Sequence, residues 1–296
     1  MLRNGMTGMG KKKNSKAKFV WMVVVAGLFY LAQFAWNEIP DVTDGKRVSL
    51  NKEQATASAL PMKVDDVIEI PARLTDRPEL ILVRKGYTVS YNKKTKLPNW
   101  VAWKLTPQRL VDRESRTNDF LPDPDLSPNE AVTTDDYKRS GYDRGHMCPA
   151  GDNKWTRMAM VESFYMTNIC PQNNNLNRGD WKELEEACRE WAKESGAVYI
   201  VCGPVLYDRP HKTIGKHKVV VPEAFFKVVL SLGDHPKAIG FIYKNTSGNH
   251  PLDAYVNSVD EVERITAIDF FPALPDEVEK SIEAQKDIND WVFPSN

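Results

Sequence analysis

Apolar and polar residues alternate along two stretches of the chain between residues 80 and 105, and a polar turn at 92–96 separates them. Alternation with a period of two is typical of strands that bury one face, so the pattern predicts a β-hairpin. The apolar positions are Leu80, Leu82, Tyr87, Val89 and Tyr91 before the turn, and Val101, Trp103 and Leu105 after it. Residues 109–134 are rich in Asp, Pro and Arg, and this composition predicts an irregular surface loop.

Helical spacing of apolar residues occurs further along the chain. Residues 155–168 predict a short helix, and a second helix is predicted to have Asp180 as its cap and to end before Gly196. The apolar stripe of the second helix comprises Trp181, Leu184, Cys188 and Trp191. The β-rich runs are 198–202, 218–221, 225–232 and 238–243, and short helices are predicted at 259–266, capped by Ser258, and at 276–284. These elements predict an α+β fold, in which helices are inserted between the strands of a central antiparallel sheet.

Residues 19–36 form an apolar run without charge, about the minimum length that spans a bilayer as a helix. Trp21 and Trp36 lie near its ends, where interfacial aromatic residues are common, and a lysine cluster precedes it. We interpret the run as a transmembrane signal anchor after a basic cytoplasmic tail at 1–18, because its end lacks the small residues of a cleavage site. A cleaved signal peptide is the alternative. The anchor would place a polar tether at 37–65 and a folded domain at 66–296 outside the cytoplasm, in a bacterial periplasm or at the cell exterior.

The formal net charge is zero, with 40 basic and 40 acidic residues. The six basic residues before Trp36 have no acidic counterpart in that stretch, so the rest of the chain carries six more acids than bases. Nucleic-acid-binding domains are usually basic, since phosphate neutralisation supplies most of their affinity. A protein of this composition that acts on nucleic acid must therefore concentrate positive charge locally.

The four cysteines all lie in the predicted extracytoplasmic part, at Cys148, Cys170, Cys188 and Cys202. An even number of cysteines outside the cytoplasm allows disulfides, and buried free thiols are an equal alternative because the spacings form no compact framework. A zinc site made by His146, Cys148, Cys170 and Cys188 is a third interpretation, although the chain has no C-x-x-C pair. The sequence leaves all three interpretations open.

Two compact clusters of polar residues have the composition of a site that acts on phosphate with a hard metal ion. The first ends at His146, and the second, about thirty residues later, contains Asn168 and Asn177. An imidazole with an ordinary pKa of about 6.5 suits a general base, and Arg144, on the same face of an extended segment, matches phosphate oxygens. Asn177 is a neutral oxygen ligand of the kind that magnesium accepts together with waters. Glu185, about two turns further on, could hold a metal-bound water.

In order, the chain contains Asp-Arg-Gly-His at 143–146, Asn-x-x-Pro-Gln at 168–172, Leu-Asn-x-Gly-x-Trp at 176–181, and Glu185 four residues beyond that tryptophan. This set resembles the sugar-non-specific DNA/RNA endonucleases, the family of the secreted Serratia nuclease and mitochondrial endonuclease G, over residues 79–275. The resemblance implies a ββα-metal (His-Me finger) nuclease fold for the domain at 66–296. It also implies one magnesium ion, for which manganese is a possible substitute, hydrolysis of phosphodiester bonds in DNA and RNA, and a possible homodimer.

The resemblance implies a role for each residue of the two clusters. His146 resembles the general base of the family, and Asn177 resembles its one direct protein ligand to the metal. Glu185 resembles the residue that orients a metal-bound water, and Asn168 resembles the amide that supports the site.

Two arginines complete the resemblance. Arg144 resembles the arginine that stabilises the transition state, and Arg116, on a loop whose length varies, resembles a second and more distant arginine. Cys148 and Cys170 lie in the matched segments, which makes a disulfide next to the site possible.

Two other functions fit the same residues. One is a nucleic-acid binding or uptake protein, which the acidic balance favours, and the other is a phosphodiesterase for other phosphate esters.

Overall fold

An antiparallel sheet of seven strands forms the centre of the domain. The structure is a computed structural model, and it describes residues 67–232 and 235–291. The strands of the sheet, in spatial order, are β1 (Leu80–Val83), β2 (Thr88–Asn92), β3 (Leu97–Leu105), β6 (Val198–Val205), β9 (Ala224–Ser231), β10 (Lys237–Lys244) and β11 (Val256–Asn257). All neighbouring strands are antiparallel, which confirms the predicted central sheet.

In chain order, two short ribbons and three α-helices of the described residues lie between these strands, and two more α-helices follow the last strand. One ribbon pairs β4 (Asp143–His146) with β5 (Ile169–Gln172), and the other pairs β7 (Thr213–Ile214) with β8 (Val219–Val220). The helices are α1 (Arg157–Ser163), α2 (Asn174–Arg178), α3 (Asp180–Ser195), α4 (Val259–Thr266) and α5 (Asp276–Glu283). This mixture confirms the predicted α+β class, although the run at 218–221 forms only a two-residue strand.

The inner strands of the central sheet are covered on both faces, so the prediction of a hairpin with one buried face was incomplete. Every residue of β9 is buried, and only one residue of β3 is not. On one face, Trp181 of α3 packs against Phe225 at a ring-centroid distance of 5.7 Å. On the other face, Val262 of α4 and Ile282 of α5 share a separate core with Phe226. Successive residues of a strand point to opposite faces, and here both directions lead into a core.

Local hydrogen bonds explain where the helices begin. Thr156 caps α1 and Ser258 caps α4, each by accepting a hydrogen bond from a backbone amide of the first turn. The helix predicted at 155–168 is shorter in the structure. It begins after its cap, Thr156, and ends at Ser163. Asp180 is the first residue of α3 and not its cap. Its carboxylate accepts a hydrogen bond from the backbone N–H of Asn249 at 2.7 Å, which fastens the segment before β11 to the start of α3.

The segment at 109–134 is irregular, as predicted, but it is more than a surface loop. Asp123 within it is buried and forms an ion pair with Arg84 at 2.6 Å. The hydroxyl of Thr167, two residues before β5, donates a hydrogen bond to the same carboxylate at 2.5 Å. These contacts hold the loop, which includes Phe120, against the segment that leads into β5.

No helix among the described residues is long and apolar enough to cross a membrane. The predicted tail at 1–18, anchor at 19–36 and tether at 37–65 lie outside the described residues. They remain predictions, as does the start of the folded domain at residue 66.

Candidate active site

The Asp-Arg-Gly-His segment forms strand β4 of the first ribbon. In this ribbon Asp143 lies opposite Gln172 of β5. The two strands approach closely at Gly145, where a Cβ atom would lie 2.7 Å from Cβ of Gln172, an atom that cannot move without the backbone. Any other residue at this position would push the strands apart, so glycine is needed for the ribbon that carries Arg144 and His146.

His146 ends β4 in an almost enclosed position, with 7% of its surface exposed. Its ring packs against those of Phe120 and Phe164, at centroid distances of 5.3 and 4.8 Å. Among the described residues, Nε2 has no hydrogen-bond partner. Burial, together with the positive charges of Arg116 and Arg144, lowers the pKa of His146 from 6.5 to about 3. The ring is therefore neutral at physiological pH, and this nitrogen is free to accept a proton.

Two arginines lie close to the imidazole and are held by aromatic rings. The Cζ atom of Arg144 is 4.1 Å from the ring centroid of Phe120, and that of Arg116 is 5.5 Å from the centroid of Phe164. These cation–π contacts orient the guanidinium groups. No carboxylate in residues 67–232 or 235–291 forms an ion pair with either group, so their N–H donors are available to a phosphate. The structure thus brings the loop arginine of the sequence prediction to the same place as the arginine of β4.

Asn177 lies on α2, and Asp143 of β4 orients its side-chain amide. Nδ2 of Asn177 donates a hydrogen bond to Oδ2 of Asp143 at 3.1 Å, and Nε of Arg178 donates to the same oxygen at 2.9 Å. Partial burial would raise the pKa of Asp143, but the hydrogen bonds from Arg178, Asn177 and Asn174 hold it below the usual value. Because the carboxylate fixes the NH₂ group of Asn177, the carbonyl oxygen of the same amide is left for a ligand.

Glu185, on α3, lies near a set of buried charges. Burial raises the pKa of Glu185 to about 7, although the charges of Lys227 and Arg189 oppose this shift. Lys227 is fully buried, with Nζ 4.4 Å from the ring centroid of Trp181 and no hydrogen-bond partner among the described residues. Arg189 forms an ion pair with the buried carboxylate of Asp152 at 3.1 Å. Glu185 is therefore a carboxyl group that changes its charge near neutral pH.

Asn168 is fully buried just before β5, and its amide bonds only to backbone groups. Oδ1 accepts a hydrogen bond from the N–H of Cys148 at 2.9 Å. Nδ2 donates to the carbonyl oxygens of Cys148 and Ser163, both at 2.8 Å. These bonds tie the residues after β4 to the end of α1.

All four cysteines are buried free thiols, so the interpretation with disulfides, including one next to the site, is wrong. Burial raises the pKa of each thiol, and a neutral thiol is a poor metal ligand. Among the described residues, the one group of three ligating side chains is formed by Asp260, Glu263 and Glu283. The zinc combination of His146 with Cys148, Cys170 and Cys188 is therefore not formed.

Comparisons with known proteins identify the family of the chain. Residues 65–277 match the model of a family described as DNA/RNA non-specific endonuclease. The chain belongs to this family. The mitochondrial nuclease EXOG of Danio rerio is 37% identical over 205 residues, which are 64% of this chain and 60% of that protein. A nuclease of Nostoc sp. is 35% identical over 232 residues, which are 73% of this chain and 82% of that protein.

A solved structure also has this fold. The chain matched in the crystal structure of the EndoG/EndoGI complex is 28% identical, with a TM-score of 0.65, and the match covers 71% of this chain and 93% of that one. This member of the DNA/RNA non-specific endonucleases spans less than two thirds of the length of the EXOG relatives that it matches.

Three features of the site were not predicted from the sequence. Asp143 orients Asn177, the ring of Phe164 packs on His146, and Lys227 is buried near Glu185. A sequence signal exists only for the lysine, because it interrupts the otherwise apolar run of β9. A charged residue inside a strand that is buried on both faces is rare without a partner and so indicates a special position.

Proposed function

We propose that this chain is a magnesium-dependent endonuclease that hydrolyses phosphodiester bonds in DNA and RNA without selecting the sugar. The observation that supports the proposal best is the buried neutral ring of His146, whose Nε2 has no partner among the described residues, next to two arginines without ion pairs. A neutral base beside free positive charge suits the attack of water on a phosphodiester. In this proposal β4, β5 and the helices α2 and α3 form the ββα-metal arrangement.

The side chains of Asn177 and Glu185 fit a magnesium ion. Magnesium prefers oxygen ligands and keeps several waters, so one amide oxygen and one carboxylate that acts through water are sufficient. The amide of Asn177 is already oriented by Asp143, and its carbonyl oxygen forms no hydrogen bond within the described part of the chain. When bound, the ion supplies positive charge to the leaving oxygen. Manganese shares the preference for oxygen ligands and is a possible substitute.

Residues of the chain itself carry out the other steps of the proposed reaction. Nε2 of His146 takes the proton of the attacking water, and the guanidinium groups of Arg144 and Arg116 bind the phosphate oxygens. A bound phosphate offsets the two positive charges, so the pKa of His146 rises when substrate is present. The ring of Phe164 keeps the imidazole in place, and Asn168 holds the backbone that follows it.

The location and the assembly are also proposals. Residues 19–36 would anchor the domain in a membrane, with the lysine cluster on the cytoplasmic side and the site on the other. This arrangement separates a non-selective nuclease from the genome of its own cell. The homodimer implied by the family resemblance can be tested by measuring the molar mass of the purified chain in solution.

Cleavage assays with the purified full chain test the proposed function. We expect plasmid DNA, single-stranded DNA and RNA all to be cut when magnesium is added, and we expect a chelator to stop the reaction. Nucleic acid that binds but stays intact in magnesium and in manganese would contradict catalysis and support a binding or uptake protein. Faster turnover of a small aryl phosphodiester than of long nucleic acid would support a phosphodiesterase for other esters.

The raised pKa of Glu185 predicts that the demand for magnesium depends on pH. A carboxyl group with a pKa of about 7 is mostly protonated below that pH, and the proton must leave before the group can hold a metal-bound water. We therefore expect the magnesium concentration for half-maximal activity to rise by up to about tenfold for each pH unit below 7. Measuring activity against magnesium concentration between pH 5.5 and 8 checks this.

The matched variant for the pH experiment is Glu185→Gln, whose amide does not titrate. It should need more magnesium than the wild type at pH 8, and its requirement should not change with pH. A wild-type requirement that stays constant across the range would rule out this role for Glu185.

A further inference from the structure

Three carboxylates meet between α4 and α5, away from the candidate active site. Asp260 and Glu263 lie one turn apart on α4, and Glu283 is the last residue of α5. One oxygen from each side chain lies within 4.8 Å of the other two. Both helices pack into the core on the face of the central sheet opposite to α3. The cluster is therefore separate from the site around His146.

Glu283 is the buried member of this cluster. It is 4% exposed, and its Oε1 has no hydrogen-bond partner among the described residues. An unpaired buried carboxylate oxygen is unfavourable, and the charges that act on it, from Glu263, Glu279, Asp260 and Asp269, are all negative. In the described part of the chain, no lysine or arginine forms an ion pair with any of these five acids. These acidic side chains therefore converge without a neutralising ion pair from the described residues.

We propose that Asp260, Glu263 and Glu283 bind a calcium ion. Carboxylate oxygens coordinate calcium at about 2.4 Å, so two ligands on opposite sides of the ion lie about 5 Å apart. Three carboxylates whose oxygens lie within 4.8 Å of one another fit this span, and they suit calcium better than magnesium, which is usually bound through one or two carboxylates and several waters. Glu263 can contribute Oε2, because its Oε1 accepts a hydrogen bond from the backbone N–H of Phe270 at 2.7 Å. The ion would offset the negative charges and fasten α5 to α4.

Protonation is the other way to reduce the repulsion between these carboxylates. Burial and the neighbouring carboxylates raise the pKa of Glu283 to about 9 and that of Glu263 to about 7. Glutamine imitates a protonated glutamate but cannot replace a charged calcium ligand. The substitution Glu283→Gln therefore separates the two explanations.

Calorimetric titration and thermal melting of the full chain test the calcium site. The chain should carry Asn177→Ala, which removes the proposed magnesium ligand, so that calcium at the nuclease site is not counted. We expect one bound calcium ion and a Tm that rises by roughly 5 °C when calcium is about a hundredfold above its Kd. Adding Glu283→Gln should weaken binding by at least about tenfold and reduce the rise in Tm at the same calcium concentration by about half or more. Glu277→Gln, an exposed acid on the same helix, makes the same change of charge and should leave both unchanged.

Asp260→Asn keeps the test decisive if Glu283→Gln does not fold. Asp260 is exposed and forms no side-chain hydrogen bond among the described residues, so its amide should not disturb the fold, and it should weaken calcium binding in the same way. A chain that binds no calcium in the Asn177→Ala background overturns the proposal. So does calcium binding by Glu283→Gln or Asp260→Asn that equals binding by Glu277→Gln. None of these readouts depends on nuclease activity.

Discussion

Replacement of His146 by alanine is expected to lower the rate of DNA and RNA cleavage by about two to four orders of magnitude, which is the usual contribution of a general base. The imidazole is buried between two aromatic rings and its Nε2 is unpartnered in the described part of the chain, so the replacement removes the proposed base without breaking a hydrogen bond of Nε2. Affinity for nucleic acid should change little, because the arginines that face the phosphate remain. Initial cleavage rates at saturating magnesium, with binding followed by fluorescence anisotropy, measure the two effects separately.

The matched control is His235→Ala, which removes an exposed imidazole between β9 and β10. It should cleave at the wild-type rate. The circular dichroism spectrum of His146→Ala should also match the wild type, since removal of the ring leaves the hydrogen bond from Trp181 to the carbonyl oxygen of residue 146 intact. Near-normal cleavage by folded His146→Ala would refute the assignment of the base.

Elements whose apolar residues recur with a regular spacing could be predicted well from the sequence. The stripe of α3 is buried as its spacing indicates, and the helix ends where Gly196 takes a left-handed conformation with φ of 77°. The central sheet followed in the same way from its β-rich runs. The periodicity of the strands could not predict that the second face of the sheet is also buried. The helices that cover this face, α4 and α5, come from the end of the chain.

Elements that depend on distant contacts were not predictable. The pair β4 and β5 has four residues in each strand, and the five-residue helix α2 begins two residues after the end of β5. Segments of this length have no recognisable period, and here contacts such as the one between Asp143 and Asn177, 34 residues apart, stabilise them. The same limit applies to Lys227, whose neighbours Trp103 and Trp181 lie far from it in sequence.

The candidate site was predictable where its residues share a local segment. Arg144 and His146 alternate along one strand, and the structure keeps both against Phe120. Arg116 lies in an irregular loop, where no spacing rule fixes the distance to the imidazole. The contact with Phe164, the ion pair of Asp123 and the hydrogen bond from Thr167 show how that loop is held.

The acidic balance of the domain is unexpected for a nuclease, so the positions of its positive charges matter. Arg116 and Arg144 have no ion-pair partner among the described residues, and Lys227 is buried near Glu185. In the described part of the chain this lysine has no hydrogen bond. Its ammonium group instead forms cation–π contacts with two tryptophan rings. Two positive charges without an ion-pair partner in the described part of the chain thus act on the imidazole of His146, at the candidate site.

Replacement of Asn177 by alanine is expected to lower kcat/KM at physiological magnesium by more than about 100-fold, because it removes the one proposed direct ligand. The loss should be partly recovered at high magnesium, which His146→Ala should not show. Asp143→Ala leaves the amide of Asn177 in place but unoriented, and should weaken magnesium binding by about 10- to 100-fold. Activity measured across a magnesium titration gives both values.

Asn175→Ala is the control for Asn177→Ala, since Asn175 lies on the same short helix and is exposed. Its magnesium requirement should equal that of the wild type. The order of effects is the informative result: the ligand should matter most, the residue that orients it less, and the exposed neighbour not at all. If Asn177→Ala and Asn175→Ala had the same magnesium requirement, the ion would have to be held by other groups, and the fixed amide of α2 would have only a structural role.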